Sequence, residues 1–169
     1  MAGVITAAKR AQYATGYVQL GMYREAAREL EAVAAADRWR PEVMAARIEL
    51  HRETGDWAEV RRYALRLLER DAADLGAWIS LGCAVRRVEN VAAARDALLQ
   101  AEACVGKGHA IVHYNLACYY CLLGDRDEAR RRLAEACRLE EHFKRAAQDD
   151  PDLEDIRERA PGESTGGGI

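Results

Sequence analysis

Two cysteines and two histidines within one short stretch are the residues of this sequence best suited to metal binding or redox chemistry. Cys118 and Cys121 form a C-x2-C pair, and His109 and His113 precede them. Such side chains at short spacing are zinc ligands. On a helix that advances by about 100° per residue, however, the four cannot converge. A site for metal capture or redox response would need a third thiol such as Cys83, and the simpler interpretation is that the thiols fill helix contacts. We therefore expect no metal and no cofactor.

Motifs for catalysis or for binding nucleic acid are not found in the sequence. It contains no nucleophile elbow and no HExxH helix, and Gly106-Lys107-Gly108 lacks the flanking pattern of a phosphate loop. The run Arg130-Arg131-Arg132 is predicted to lie on the solvated face of an outer helix that continues with Glu135. With a net charge of -3 and arginines interleaved with acidic residues, no concentrated basic face is expected. We predict neither an enzyme nor a nucleic-acid-binding protein.

Composition predicts a single all-α domain. Alanine, leucine, arginine and glutamate dominate the 169 residues, and these residues favour helices because their side chains lose little freedom there. The five cysteines are an odd number and no signal peptide precedes them, which favours free thiols over disulfides. No apolar run approaches the ~20 residues that cross a bilayer. We expect a cytoplasmic protein that does not bind a membrane.

An internal period of about 34 residues organises the chain. Gly21, Gly55 and Gly124 each end a stretch with apolar residues at helical spacing, and Glu89 occupies the missing register. The same period relates three further sets of four residues: Ala26, Val60, Ala94 and Ala129; Leu30, Ala64, Leu98 and Leu133; Val33, Leu67, Ala101 and Ala136. Periods of this length are typical of stacked helical units that cannot bury their apolar faces alone.

Each unit is predicted to contain two helices. Asp56, Asn90 and Asp125 follow the ends of first helices and are suited to cap the second helices. The predicted pairs are 7–20 with 22–36, 41–54 with 56–70, 75–88 with 90–104, and 110–123 with 125–138. A further helix is predicted at 140–147, followed by a short charged one, and the Gly-rich end is predicted to be flexible.

The third and fourth units carry residues of a known repeat. Trp78, Leu81, Gly82 and Val85 are followed by Ala94, Leu98 and Ala101, and the fourth unit has Leu116, Ala117 and Tyr120 followed by Ala129, Leu133 and Ala136. This pattern resembles the tetratricopeptide repeat, W-x2-L-G-x2-Y followed by A-x3-F. The closing proline of that pattern is absent from every unit.

The resemblance implies a right-handed superhelical stack of antiparallel helix pairs. The expected domain spans residues 1–160, with repeats at approximately 7–40, 41–74, 75–109 and 110–143, a capping segment at 140–160, and a flexible tail at 161–169. Small residues such as Gly82, Ala94 and Ala117 are expected where helices cross closely. Glu140 and the residues after it resemble the polar cap that such stacks require.

The resemblance also implies a concave groove that binds a peptide or helix of a partner protein. Carried over by position, the groove is predicted to be lined by Gln12, Thr15, Glu49, Arg52, Ser80, Cys83, Arg86, Tyr114, Asn115 and Cys118. Asn115 is the leading candidate, because an asparagine at this place in the family often bonds the backbone of a bound peptide, to which an amide offers both a donor and an acceptor. The alternative is that Asn115 only links neighbouring helices. Family members that hold a chaperone's terminal carboxylate use lysine, asparagine and arginine at positions that here hold Ala45, Glu49, Ser80 and Arg86. That clamp is not expected.

Three functions remain open from the sequence, besides a thiol site. The first is an adaptor or scaffold whose groove binds a segment of another protein. The second is a small chaperone for an unstable or secreted client, since family members of this size can serve that role. The third is a homodimer formed through the imperfect first unit.

Overall fold

The computed structural model describes residues 5–157, which form helices joined by short turns. The chain divides into two compact units, one ending at Lys107 and one beginning at Gly108. Within the described residues there is no strand, so the predicted all-α fold is confirmed. In the same range every helix is too short or too polar to cross a bilayer. The predicted tail, 161–169, and the last three residues of the predicted cap lie outside the described residues.

Three helix pairs make up the first unit. Their bounds are α1 (Ala7–Gln19) with α2 (Tyr23–Glu31), α3 (Pro41–Thr54) with α4 (Trp57–Leu68), and α5 (Leu75–Val88) with α6 (Val91–Val105). The predicted bounds are confirmed to within one or two residues with one exception. Helix α2 ends at Glu31 rather than at residue 36, and a short 3₁₀ helix at Ala35–Asp37 follows it.

Local chemistry explains where these helices begin and end. The predicted caps are confirmed: a side-chain oxygen of Asp56 accepts from the backbone N–H of Glu59 (3.3 Å), and that of Asn90 accepts from the N–H of Ala93 (2.8 Å). Each bond satisfies a donor that has no partner inside the helix. Gly55 ends α3 with a φ of 78°, which glycine adopts without steric cost.

The core of the first unit joins successive helix pairs. Leu30 on α2 is fully buried in one cluster with Ala11 of α1 and with Val43 and Ala46 of α3. The second helix of one pair is therefore covered by the first helix of the next pair. Gly82 lies in another tight contact, where an added Cβ would be 3.0 Å from Leu98 Cδ2.

The second unit contains one helix pair and a covering segment. Helices α7 (Ala110–Leu122) and α8 (Arg126–Leu139) pack together, and α9 (His142–Asp149) is followed by a 3₁₀ helix at Pro151–Ile156. We call residues 142–157 the C-terminal segment. It is anchored to α7 and α8 by the buried side chains of Phe143, Leu153 and Ile156. The helix predicted at 140–147 is therefore present two residues further along the chain.

Candidate binding surfaces

The predicted groove residues of the first unit lie on α1, α3 and α5, and we call this surface the first-helix face. Gln12, Glu49 and Arg52 are exposed, and Thr15, Cys83 and Arg86 are half-buried. Ser80 is buried, with 6% of its surface exposed, so its hydroxyl offers little area to a ligand. These side chains lie on three successive first helices, of which α1 and α3 pack directly together.

A pocket with a volume of about 560 Å³ lies at the end of the first-helix face. Glu49 and Arg52 line it together with Val18, Tyr23 and Glu53, so the structure brings two of the predicted residues together. The Tyr23 hydroxyl donates to Glu53 (3.3 Å), and burial together with this carboxylate raises the pKa of Tyr23. The pocket therefore offers apolar surface, two carboxylates and one guanidinium to a ligand.

The C-terminal segment covers the predicted groove residues of α7. The Tyr114 hydroxyl donates to Asp150 Oδ2 (2.7 Å), and the Tyr114 ring stacks on Phe143 with centroids 4.6 Å apart. The Cys118 thiol lies 3.6 Å from the same Asp150 oxygen. Tyr114 and Cys118 are consequently 8% and 3% exposed. In this arrangement both are covered by the chain itself.

Asn115 lies beside these residues and is half-buried. Its side-chain Nδ2 donates to the backbone carbonyl of Ile111 (2.9 Å), one turn earlier on the same helix. This bond uses one of the two N–H donors of the amide. Asn115 can therefore bind the backbone of a ligand only through its second N–H donor and its carbonyl oxygen. Its predicted role in binding stays a prediction.

Ligand atoms of Cys118, Asp150 and Asp152 lie within 4.8 Å of one another. Hydrogen bonds already engage both Asp150 oxygens, because Oδ1 accepts from the backbone N–H of Asp152 (2.9 Å) and caps the 3₁₀ helix, while Oδ2 accepts from Tyr114. The group is thus explained by the attachment of the C-terminal segment. Neither His109 nor His113 belongs to it.

The prediction that all three arginines of the run are solvated is wrong for Arg132. The run of three arginines is predicted to be solvated, but the Arg132 side chain is only 8% exposed. Its Nε donates to Glu128 (3.0 Å), and one terminal nitrogen lies 3.1 Å from Nδ1 of the buried His113. Arg132 lies three residues after Ala129 and four before Ala136, both fully buried, so its position on the inner face of α8 could have been read from the helical spacing.

We expect the second unit to lose stability as the pH rises past about 10, through Tyr114. Burial, followed by the hydrogen bond to Asp150, raises the pKa of Tyr114 above its ordinary value of 10.0. A group whose pKa is raised on folding contributes stability that is complete below its unfolded pKa and is lost as the pH rises through its folded pKa. Melting temperatures between about pH 8 and about pH 11 should fall less steeply for Tyr114→Phe than for the wild type. Equal slopes in the two proteins would contradict this assignment.

Solved structures provide the comparison that identifies the fold. A thermophilic TPR protein of Thermus thermophilus superimposes with a TM-score of 0.70 and 24% identity, over 85% of this chain and 80% of that chain. The chain has the tetratricopeptide-repeat fold. At this identity the likeness establishes the fold and leaves the function to the residues.

Two further solved structures are similar to this chain over most of its length. A crystal structure of MamA has a TM-score of 0.70 and 21% identity, over 87% of this chain and 78% of that chain. A chain of the APC/C hetero-tetramer Cut9–Hcn1 has a TM-score of 0.69 and 20% identity, over 89% of this chain but only 29% of that one. No family model matches the sequence, and no curated protein matches it significantly.

One position distinguishes the fourth tetratricopeptide repeat from the others. Leu30, Ala64 and Leu98 occupy the same position in the first three repeats and are 0%, 0% and 1% exposed. Leu133, their equivalent on α8, is only half-buried. The C-terminal segment therefore covers α8 less completely than α3 covers α2.

Proposed function

We propose that this chain is a protein-interaction module that binds a segment of a partner protein on the first-helix face of the first unit. The observation that carries the proposal is the pocket of about 560 Å³, because it borders Glu49 and Arg52 on the surface that the repeat pattern predicts for binding. Its concave, mixed apolar and polar lining is typical of sites that hold a side chain of a ligand.

The charges of the pocket define the partner segment. Glu49 and Glu53 supply two carboxylates against the single guanidinium of Arg52, so a lysine or arginine of the ligand is favoured there. Val18 and the Tyr23 ring offer apolar contact to an aliphatic neighbour of that residue. Further along the face, Gln12, Thr15, Cys83 and Arg86 would contact the rest of an extended segment or of an amphipathic helix.

The equivalent surface of the second unit would bind only after the C-terminal segment moves away. Tyr114 and Cys118 have their polar atoms engaged with Asp150, and Phe143 covers the Tyr114 ring. A ligand at these residues and at Asn115 would have to replace those contacts. We therefore propose that binding on the exposed first-helix face precedes any binding on α7.

The test is capture of partners from the native cell extract, identified by mass spectrometry. The wild type is compared with Glu49→Lys/Glu53→Lys, which removes both carboxylates from the pocket, and Arg145→Glu, a charge reversal at an exposed arginine on α9, is the control. All proteins must first show equal helical content and equal melting temperatures. We expect the double variant to bind the identified partner at least about tenfold more weakly and the control to bind it normally. A partner that both variants retain equally would make the proposed surface wrong.

The same experiment separates the two other functions that the sequence leaves open. Recovery of this chain alone, together with a dimeric mass in light scattering, would favour the homodimer. Recovery of one unstable client, whose aggregation the purified chain suppresses, would favour the chaperone. An adaptor should instead bind a short peptide taken from a folded partner.

A further inference from the structure

A second groove lies on α8 of the second unit, which is the second helix of its pair rather than a first helix. Arg130, Leu133 and Cys137 follow one another at a spacing of three and four residues, so their side chains form one stripe along α8. Together with Ala147 of α9 and the end of the 3₁₀ helix, this stripe lines a groove with a volume of about 450 Å³. None of these residues belongs to the first-helix face.

The floor of the groove is a surface that the earlier repeats bury. Leu30 and Leu98, at the same repeat position as Leu133, are fully buried or nearly so, and Leu30 lies in one buried cluster with Val43 of the following helix pair. On α8 the C-terminal segment supplies Leu153 and Ile156 at the edge but leaves Leu133 and the Cys137 thiol half-buried. Exposed apolar surface of this kind gains free energy when a further apolar side chain covers it.

The rim of the groove is basic. Arg130, Lys144 and Arg157 line it, and among the described residues no aspartate or glutamate does. Arg130 and Lys144 each have an exposed carboxylate nearby, Asp127 at 3.5 Å and Glu141 at 3.2 Å. Exposed ion pairs contribute little to stability, so ligand carboxylates can replace these partners at little cost. The chain as a whole has a net charge of -3, which makes this local excess of cations a distinctive feature.

We propose that this groove binds an acidic segment of a partner protein that carries at least one large apolar side chain. The apolar side chain lies on Leu133 and Cys137, where a following helix pair would otherwise lie. The carboxylates beside it accept hydrogen bonds from Arg130 and Lys144, and complementary charges of this kind determine which partner binds more than they add to the affinity. The proposed ligand is therefore opposite in charge to the one proposed for the first-helix face.

The half-buried thiol of Cys137 provides a direct test inside the groove, and the exposed thiol of Cys104 provides a matched reference. Two peptides of about ten residues carry the same leucines, flanked in one by aspartates and in the other by lysines, and each bears a terminal mixed disulfide. The full-length protein is equilibrated with both peptides and a reductant, and peptide mapping then measures the capture at each cysteine. We expect the acidic peptide to exceed the basic one by at least about tenfold at Cys137 and to show no such preference at Cys104.

Charge reversal in the rim then tests the cause of the preference. Arg130→Glu/Lys144→Glu should abolish or invert it, whereas Arg145→Glu on the same helix as Lys144 should leave it unchanged. Arg157 is kept, because it also donates to the backbone carbonyl of Asp150 (2.9 Å) and so helps to hold the segment in place. Melting temperatures confirm that each variant is folded.

Four results would overturn the proposal. Equal capture of the two peptides at Cys137 would exclude acidic recognition, as would a preference that survives the double charge reversal. Protection of Cys137 by oleate but not by the acidic peptide would assign the groove to a lipid. A preference that appears only in a chain ending at Arg157 would assign the groove to residues 158–169, which contain Glu158 and Glu163.

Discussion

Replacing Leu30 with alanine is expected to lower the free energy of unfolding of the first unit by about 3 kcal/mol, within a usual range of about 2–5 kcal/mol. Leu30 is fully buried and lies in the same buried cluster as Val43 and Ala46, which belong to the following helix pair. The substitution removes apolar area from the core and leaves a cavity, because three helices that already pack together cannot close it completely. It should therefore weaken the joint between the first two repeats.

Denaturant unfolding followed by far-UV circular dichroism measures this effect. Leu20→Ala is the matched control, since Leu20 is 73% exposed and the chemical change is the same. We expect the control to change the free energy of unfolding by less than about 0.5 kcal/mol. Comparable losses in the two variants would show that Leu30 does not join the repeats as described.

Gly82→Val is expected to destabilise the first unit by about 1–3 kcal/mol. An added Cβ would lie 3.0 Å from Leu98 Cδ2 and 3.2 Å from Leu98 Cγ. Leu98 is itself 1% exposed and has little room to move, so the extra atoms force either a strained rotamer or a shift of α6 away from α5. The close approach of these two helices therefore depends on the absence of a side chain at Gly82.

Two alanine variants give this prediction its control. Gly16 also lies inside a helix, but no heavy atom would be within 4 Å of an added Cβ, so Gly16→Ala should stabilise the chain by about 0.5–1 kcal/mol. Gly82→Ala should gain the same stabilisation from replacing glycine inside a helix, but the close contact of the new Cβ with Leu98 should offset it. Thermal melts of all three proteins should rank Gly16→Ala above Gly82→Ala and Gly82→Val last. A Gly82→Val protein as stable as the wild type would refute the tight crossing.

Features fixed by local chemistry could be predicted from the sequence. The period of the small and apolar residues predicts the helix pairs, and the caps at Asp56 and Asn90 predict where second helices begin. The end of α2 could not be predicted in this way, because the residues after Glu31 are good helix formers. Propensity is a weak guide where tertiary packing competes with it, and here Val33 turns into the core ahead of α3.

The covering of Tyr114 and Cys118 could not be predicted because it depends on contacts across long sequence separations. Asp150 lies 36 residues from Tyr114 and 32 from Cys118, and no repeat relates them. Assigning groove residues by their position in the repeat family assumes that α7, the first helix of the fourth repeat, has an exposed face. In contrast, the pocket at Glu49 and Arg52 lies between elements that the repeat does relate, and the aromatic Tyr23 just after the turn at Gly21 was an available signal for it.

The late position of the C-terminal segment has a consequence during synthesis on the ribosome. Helix α7 is made before Phe143 and Asp150, and chains fold progressively from the N-terminal side as they emerge. Until those residues emerge, the ring of Tyr114 and the thiol of Cys118 have nothing from the C-terminal segment to cover them. A nascent chain stalled at Glu140 would thus expose the surface of Tyr114 and Cys118 to ribosome-associated chaperones, whereas the complete C-terminal segment buries it.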